Sequence, residues 1–218
     1  MGALVTAYEQ RPACQQVIHY GYNVVSVDFR GTGASFGTHA GETWRNGSDV
    51  AQIVDWIAAQ PWATDKVGMI GGSWEGVIQL TSMVYAPKHL TCIVPQIPPS
   101  IMNATYDGGL ALVGFAKDWS AMRSGQDSVD TAAPVDGEDG QALLDEAMAG
   151  RAPTYPSEAN VESLTNMTTE WYLAATCKDV PTPPAPELGP VQDVFDEFER
   201  MNQTNTAVYL QTGCPASG

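Results

Sequence analysis

The chain is poor in positive charge. Ten Lys+Arg stand against 25 Asp+Glu in 218 residues, a net charge of −15, and only four residues are lysine (Lys66, Lys88, Lys117, Lys178). A phosphate backbone repels such a surface and no basic stripe offsets it, so nucleic acid is excluded as a partner. The same shortage of lysine argues against anionic membranes. No run of 18 apolar residues is present, which removes a transmembrane helix. Residues 1–14 hold a short apolar stretch with no basic segment before it, the pattern of a strand rather than of a secretory leader. The four cysteines (Cys14, Cys92, Cys177, Cys214) are far apart with no C-x-x-C, which excludes a zinc knuckle or a thioredoxin motif and suggests buried free thiols. Acidic residues Asp127, Asp130, Asp136, Glu138 and Asp139 form a run, but Gly140 falls where an EF-hand needs an oxygen ligand. No metal is expected.

What is present is an apolar fraction of 44%, enough for a core. The first ninety residues alternate strand-like and helix-like patterns. Asn23–Phe29 (NVVSVDF) is short and β-branched and breaks into Gly31-Thr32-Gly33, the pattern of a buried strand feeding a loop. Ser48-Asp49 opens a helix with Val50, Ile53, Val54 and Ile57 on one face, and Pro61 stops it. Lys66–Gly72 is a second buried strand, Val77–Tyr85 a helix, and Leu90–Pro95 a third strand. This order predicts an α/β fold with a parallel sheet. From 98 to 205 the pattern changes to helical pieces, including Leu110–Met122 and Gln141–Ala149, joined by an acidic loop and a proline-rich stretch at 181–190. Thr206–Thr212 regains strand character. The division implied is a core over 1–97, a helical cap insertion over 98–205, and the start of a returning core strand over 206–218.

The most informative segment is Gly71-Gly72-Ser73-Trp74-Glu75-Gly76. A serine directly after a buried strand and directly before a helix, with glycine two before and three after it, sits on a sharp turn. Such a turn lifts the hydroxyl above the sheet edge and gathers backbone N–H groups and a helix N-terminus at one spot. The alternative is a glycine-rich turn whose serine only caps the helix. Gly31–Gly37 also follows a strand pattern, but its third glycine is one residue late for G-x-G-x-x-G, so a tight structural loop is expected rather than a phosphate cradle. Asp28 and Arg30 are placed to form an ion pair fixing that loop. The six tryptophans (44, 56, 62, 74, 119, 171) are expected in the core or lining a cleft.

Taken together these segments resemble the cocaine-esterase and X-Pro dipeptidyl-peptidase group of α/β-hydrolases. Asp28-Phe29-Arg30-Gly31-Thr32-Gly33-Ala34-Ser35-Phe36-Gly37 is similar to its D-x-R-G-x-G-x-S-x-G stretch. Glu42, Asp49, Asp55-Trp56-Ile57 and Gln60-Pro61-Trp62 are similar to its E…D…D-W-I…Q-P-W helix, and Val67–Gly76 to its V-G-M-x-G-x-S-Y-x-G nucleophile turn, with Gln79 also fitting. The resemblance is dense over 23–95. It implies a partial α/β-hydrolase sheet with a helical lid and a serine hydrolase acting on a small ester or amide/peptide substrate through an acyl-serine, without cofactor. Ser73 is then the nucleophile, the Trp74 N–H one oxyanion donor, and the Tyr8 hydroxyl, in Thr6-Ala7-Tyr8, the second. Asp107 falls near the place of an amine-binding carboxylate, and Trp74 and Trp119 are candidates to line an acyl pocket.

The sequence departs from that pattern after the serine. A serine needs a base oriented by a third group, and α/β-hydrolases order these as Ser, acid, His. The only histidine after Ser73 is His89, just before a strand. Gly213-Cys214-Pro215-Ala216 puts alanine where the family has its acid, and no acidic residue follows Glu199. The chain is therefore expected to be a truncated, inactive piece of a hydrolase. Two other readings stand: His39 as a base from the loop, and a non-catalytic α/β-hydrolase-like binding module.

Overall fold

A computed structural model describes residues 12–37, 44–98, 106–107, 110–111, 118, 122, 132–134, 137–151, 199 and 201–210. They belong to two compact units, Met1–Gly41 with Asp118–Glu158 and Glu42–Lys117 with Ala159–Gly218.

The second unit is an α/β layer. Helix α2 (Trp44–Ala58) leads to strand β1 (Val67–Gly72), helix α3 (Trp74–Met83) and strand β2 (Leu90–Gln96). Strand β5 (Ala207–Val208) lies on the far side of β2, giving the order β1-β2-β5. Both pairings are parallel, Val67 opposite Leu90 through Gly72 opposite Gln96, and Cys92–Ile93 opposite Ala207–Val208. The Tyr209 N–H carries the second ladder one residue further, to the Ile93 carbonyl. Two parallel strands cannot be joined by a tight turn, and α3 is the crossover between β1 and β2.

Helix α3 is the centre of this unit. Val77, Ile78, Gln79, Thr81, Ser82 and Met83 are all buried, between the sheet and α2. Helix α2 begins four residues before the expected Ser48. Its first turns carry Asn46, Gly47 and Ser48, which are polar or small yet buried. They are inside because α2 meets α3 closely there: a β-carbon on Gly47 would lie 2.6 Å from the Thr81 carbonyl oxygen. Val50 and Val54 continue that face, with Ile53 and Ile57 half-buried at its edge.

A short antiparallel pair comes next, β3 (Tyr106–Asp107) with β4 (Leu110–Ala111). Leu110 and Ala111 are thus strand, where a helix start was expected. Asp118 and Met122 are helical, as are Glu199 and Met201–Asn202.

In the first unit, helix α1 (Pro12–His19) ends in a turn at Gly21, which has φ 84°. Residues 22–29 carry no regular secondary structure, a correction to the expected buried strand at Asn23–Phe29. Val25 and Val27 are 37% and 48% exposed. A strand needs a ladder partner for its backbone groups, and none is present for this run among the described residues. Helix α4 (Gly140–Ala149) closes the described part of this unit, with Leu144 and Ala147 buried.

Two further expectations change. Cys92 is free, but its side chain is exposed rather than buried; its neighbour across the ladder is Gly68, which has no side chain to cover the sulfur. Trp56 and Trp62 are 56% and 46% exposed and pack edge to face on each other, 6.4 Å apart, instead of joining the core. No helix among the described residues is long and apolar enough to cross a membrane.

Candidate active site

The turn between β1 and α3 is held in an uncommon conformation. Ser73 has φ 54° and ψ −120°. A non-glycine residue there carries strain of about 1–3 kcal/mol, and the surroundings must over-determine it. They do so by three devices. The Ser73 N–H donates to the Gln96 carbonyl at 2.8 Å, which ties the turn to the end of β2. The Ser73 carbonyl accepts from the N–H groups of Gly76 (3.0 Å) and Val77 (3.1 Å), which starts α3 at once. Buried Gln79 then stitches the three elements together: its Nε2 donates to the Gly71 carbonyl (3.2 Å) and the Glu75 carbonyl (3.0 Å), and its Oε1 accepts from the Val94 N–H (2.9 Å).

The two glycines flanking the serine are required by close approach. A β-carbon on Gly71 would lie 2.6 Å from the Glu75 Cβ, and one on Gly76 3.2 Å from the Pro98 Cβ and 3.3 Å from the Gln96 oxygen. This accounts for the spacing G-x-S-x-x-G. Two residues after the serine stands Glu75, and the space its Cβ needs is left by Gly71. The usual elbow has a glycine at that later position.

The serine side chain is exposed and makes no capping bond to α3. That removes the alternative in which Ser73 serves as a helix cap. The Trp74 N–H, first in α3, has no acceptor among the described residues, as expected of a helix N-terminus. A hydroxyl and an unused backbone donor therefore sit on consecutive residues at a helix N-terminus, where negative charge is stabilised. The Trp74 indole is half-buried, and its N–H is buried without an acceptor among the described residues.

The other candidates are placed differently. His89 lies at the opposite end of the strands: its carbonyl accepts from Val67, the first residue of β1, and its Nδ1 is 3.0 Å from the Asp65 carbonyl oxygen. The six residues of β1 separate it from Ser73, about 20 Å at the rise of a strand. Asp107 is in β3, opposite Leu110. Tyr8, His39, Trp119 and Ala216 lie outside the described residues. Of the candidate set, the structure brings together Ser73 and Trp74. Among the described residues no group of three or more His, Cys, Asp and Glu is arranged to hold a metal ion.

Comparison with known proteins decides the family. The profile of the X-Pro dipeptidyl-peptidase (S15) family matches residues 4–189. The chain belongs to this family. Among curated relatives, proteins named as putative serine esterases in Mycobacterium bovis and Mycobacterium tuberculosis are each 32% identical over 111 residues, 49% of this chain and 18% of theirs. Dipeptidyl aminopeptidase BIII of Pseudoxanthomonas mexicana is 35% identical over 96 residues, 41% of this chain and 14% of that protein. The chain thus spans less than a fifth of the length of the curated relatives it matches. The resemblance drawn from the motifs at 28–37 and 67–76 is to this same family, and the parallel sheet agrees with its α/β architecture.

Proposed function

We propose that this chain carries the nucleophile of a serine hydrolase that cleaves ester or amide/peptide acyl bonds. The observation that bears most weight is the exposed Ser73 at a strained strand-to-helix corner, with its hydroxyl free of any capping bond. Membership of the S15 family, and relatives named as esterase and dipeptidyl aminopeptidase, support the substrate class. In the proposed reaction the Ser73 Oγ attacks the acyl carbonyl as its proton passes to a base. The oxyanion is held by the Trp74 N–H and the Tyr8 hydroxyl. Collapse expels the alcohol or amine and leaves an acyl-Ser73 ester, which water then hydrolyses. Asp107 and Trp119 are proposed to contact substrate, Asp107 through its amine and Trp119 through its acyl group. Residues 98–205 are proposed to form the cap over a core begun by 1–97 and resumed at 206.

The base and its acid are not among the described residues beside Ser73, since His89 is at the far end of the strands. The chain by itself is therefore proposed to be catalytically silent. The same observation favours a second reading, an α/β-hydrolase-like module that binds without catalysis. A fluorophosphonate probe applied to the full-length gene product separates the two. Labelling at Ser73 that Ser73→Ala abolishes is expected. No labelling favours the binding module, and labelling that persists in Ser73→Ala overturns the assignment of the nucleophile.

A further inference from the structure

The first turn of α2 holds the one Asn-Gly pair of the sequence, Asn46-Gly47. Gly47 faces the backbone of α3. A β-carbon on it would lie 2.6 Å from the Thr81 carbonyl oxygen and 3.1 Å from the Ser82 nitrogen. Backbone cannot step aside as the end of a side chain can, so this contact admits only glycine. Asn46 beside it is 2% exposed. Close packing of two helices has therefore set side by side the two residues whose junction is chemically least durable.

The weakness of an Asn-Gly junction is intramolecular. No β-carbon shields the glycine nitrogen, which can attack the asparagine side chain. A bond forms between the Gly47 nitrogen and Asn46 Cγ, the Cγ–Nδ2 bond breaks, and ammonia leaves with the proton from the Gly47 N–H. The product is a five-membered succinimide. Water then opens the ring at either carbonyl. One opening gives aspartate, the other isoaspartate, in which the main chain runs through the former side chain. The fold blocks the first step. Ring closure needs Cβ, Cα, the carbonyl carbon and the glycine nitrogen almost coplanar, and a helical ψ of about −42° holds them well out of plane. Both residues lie within α2, and the contact with α3 leaves Gly47 no room to rotate.

We propose that Asn46-Gly47 is a deamidation site guarded by the contact between α2 and α3, and that its modification makes opening of that contact irreversible. Once α2 lifts from α3, the pair is free to cyclise. The new carboxylate must then return to a place that is 2% exposed. A helix N-terminus favours negative charge, but at such burial the loss of hydration outweighs it. Isoaspartate adds a main-chain carbon and breaks the helical repeat outright. The lifetime of this unit is then set by the rate at which α2 opens.

Mass spectrometry of the peptide carrying Asn46 tests this on the whole chain, held in mildly alkaline buffer with and without unfolding urea. Conversion is expected to be at least about tenfold slower in the folded chain. Equal rates overturn the proposal. Val54→Ala removes a buried side chain from the same face of α2 and is expected to convert about tenfold faster than the parent in buffer, and at the parent's rate in urea. Should Val54→Ala fail to fold, Ile53→Ala, at the half-buried edge of that face, replaces it with a smaller rise. No rise in buffer overturns the proposal in either variant. Converted chains returned to buffer are expected to exchange their Val50 and Val54 amides at least about tenfold faster than unconverted ones. Asn46→Ala, which cannot form the ring, is expected to come through the same incubation with its protection unchanged. Full protection in converted chains, or an equal loss in Asn46→Ala, overturns the irreversible step.

Discussion

Two stretches of this chain look alike as strings and differ as structures. Asn23–Phe29 and Val67–Gly72 are both short apolar runs that break into glycine. The second is a strand, paired to β2 along its whole length and covered by α3. The first has no regular secondary structure, with Val25 and Val27 open to solvent. The difference lies in the residues after each run. Beyond Gly72 come Ser73 and a crossover helix that returns the chain to a parallel partner. Beyond Phe29 comes a loop that closes on itself and on Arg151. Strand propensity measures fit to a half-buried pleated surface, and only one of the two runs has such a surface among the described residues.

Truncation of one side chain in the sheet and one in the unpaired run breaks that comparison most directly. Ile93→Ala removes a fully buried side chain from the strand paired with Val67–Gly72 and is expected to destabilise by about 3–4 kcal/mol. Val27→Ala, in the unpaired run at 23–29, is expected to change stability by no more than about 0.5 kcal/mol. Urea unfolding of both variants reads the difference. Equal losses would mean that residues 22–29 are packed as a strand in solution.

The next effect belongs to Gln79. Its amide meets Gly71, Glu75 and Val94, so Gln79→Leu leaves buried backbone groups of two strands without partners. A loss of about 2 kcal/mol is expected, with faster exchange at the Val94 amide. A loss no larger than that of an ordinary surface substitution would show that the turn holds its shape without the glutamine.

Much of this is legible in the sequence, and the reasons are specific. Val67–Gly72, Leu90–Gln96 and Gln141–Ala149 carry local patterns that match their surroundings, so the parallel pair and α4 can be read within a residue or two. The serine turn is visible because glycine at two fixed offsets marks a sharp corner, and the structure shows the close contacts that force it. The start of α2 is hidden, since Asn46, Gly47 and Ser48 read as polar and are buried by a helix about thirty residues on. Arg151 is invisible for the same reason at greater range: it acts on residues more than a hundred positions away, and nothing local marks it. The exposure of Trp56 and Trp62 belongs to the same class, because helical spacing alone does not tell which face finds a partner.

The smallest effect is the most specific to the proposed nucleophile. Ser73 holds φ 54° and ψ −120° with no bond from its hydroxyl to the helix it precedes. A glycine adopts positive φ without the β-carbon penalty, at a cost in unfolded-chain entropy. Relief of about 1–3 kcal/mol of strain against that cost predicts that Ser73→Gly is more stable than the parent by about 1 kcal/mol. Ser73→Ala keeps the β-carbon and the strain, and loses no capping bond, so its stability should match the parent. Both variants abolish labelling by a fluorophosphonate if the hydroxyl is the nucleophile. A stability gain for glycine alone, together with loss of labelling in both, would show that the corner is held strained for the sake of the serine it displays. Equal stability for glycine and alanine would show instead that the backbone relaxes in solution, and the exposed hydroxyl would lose the geometry on which its proposed role depends.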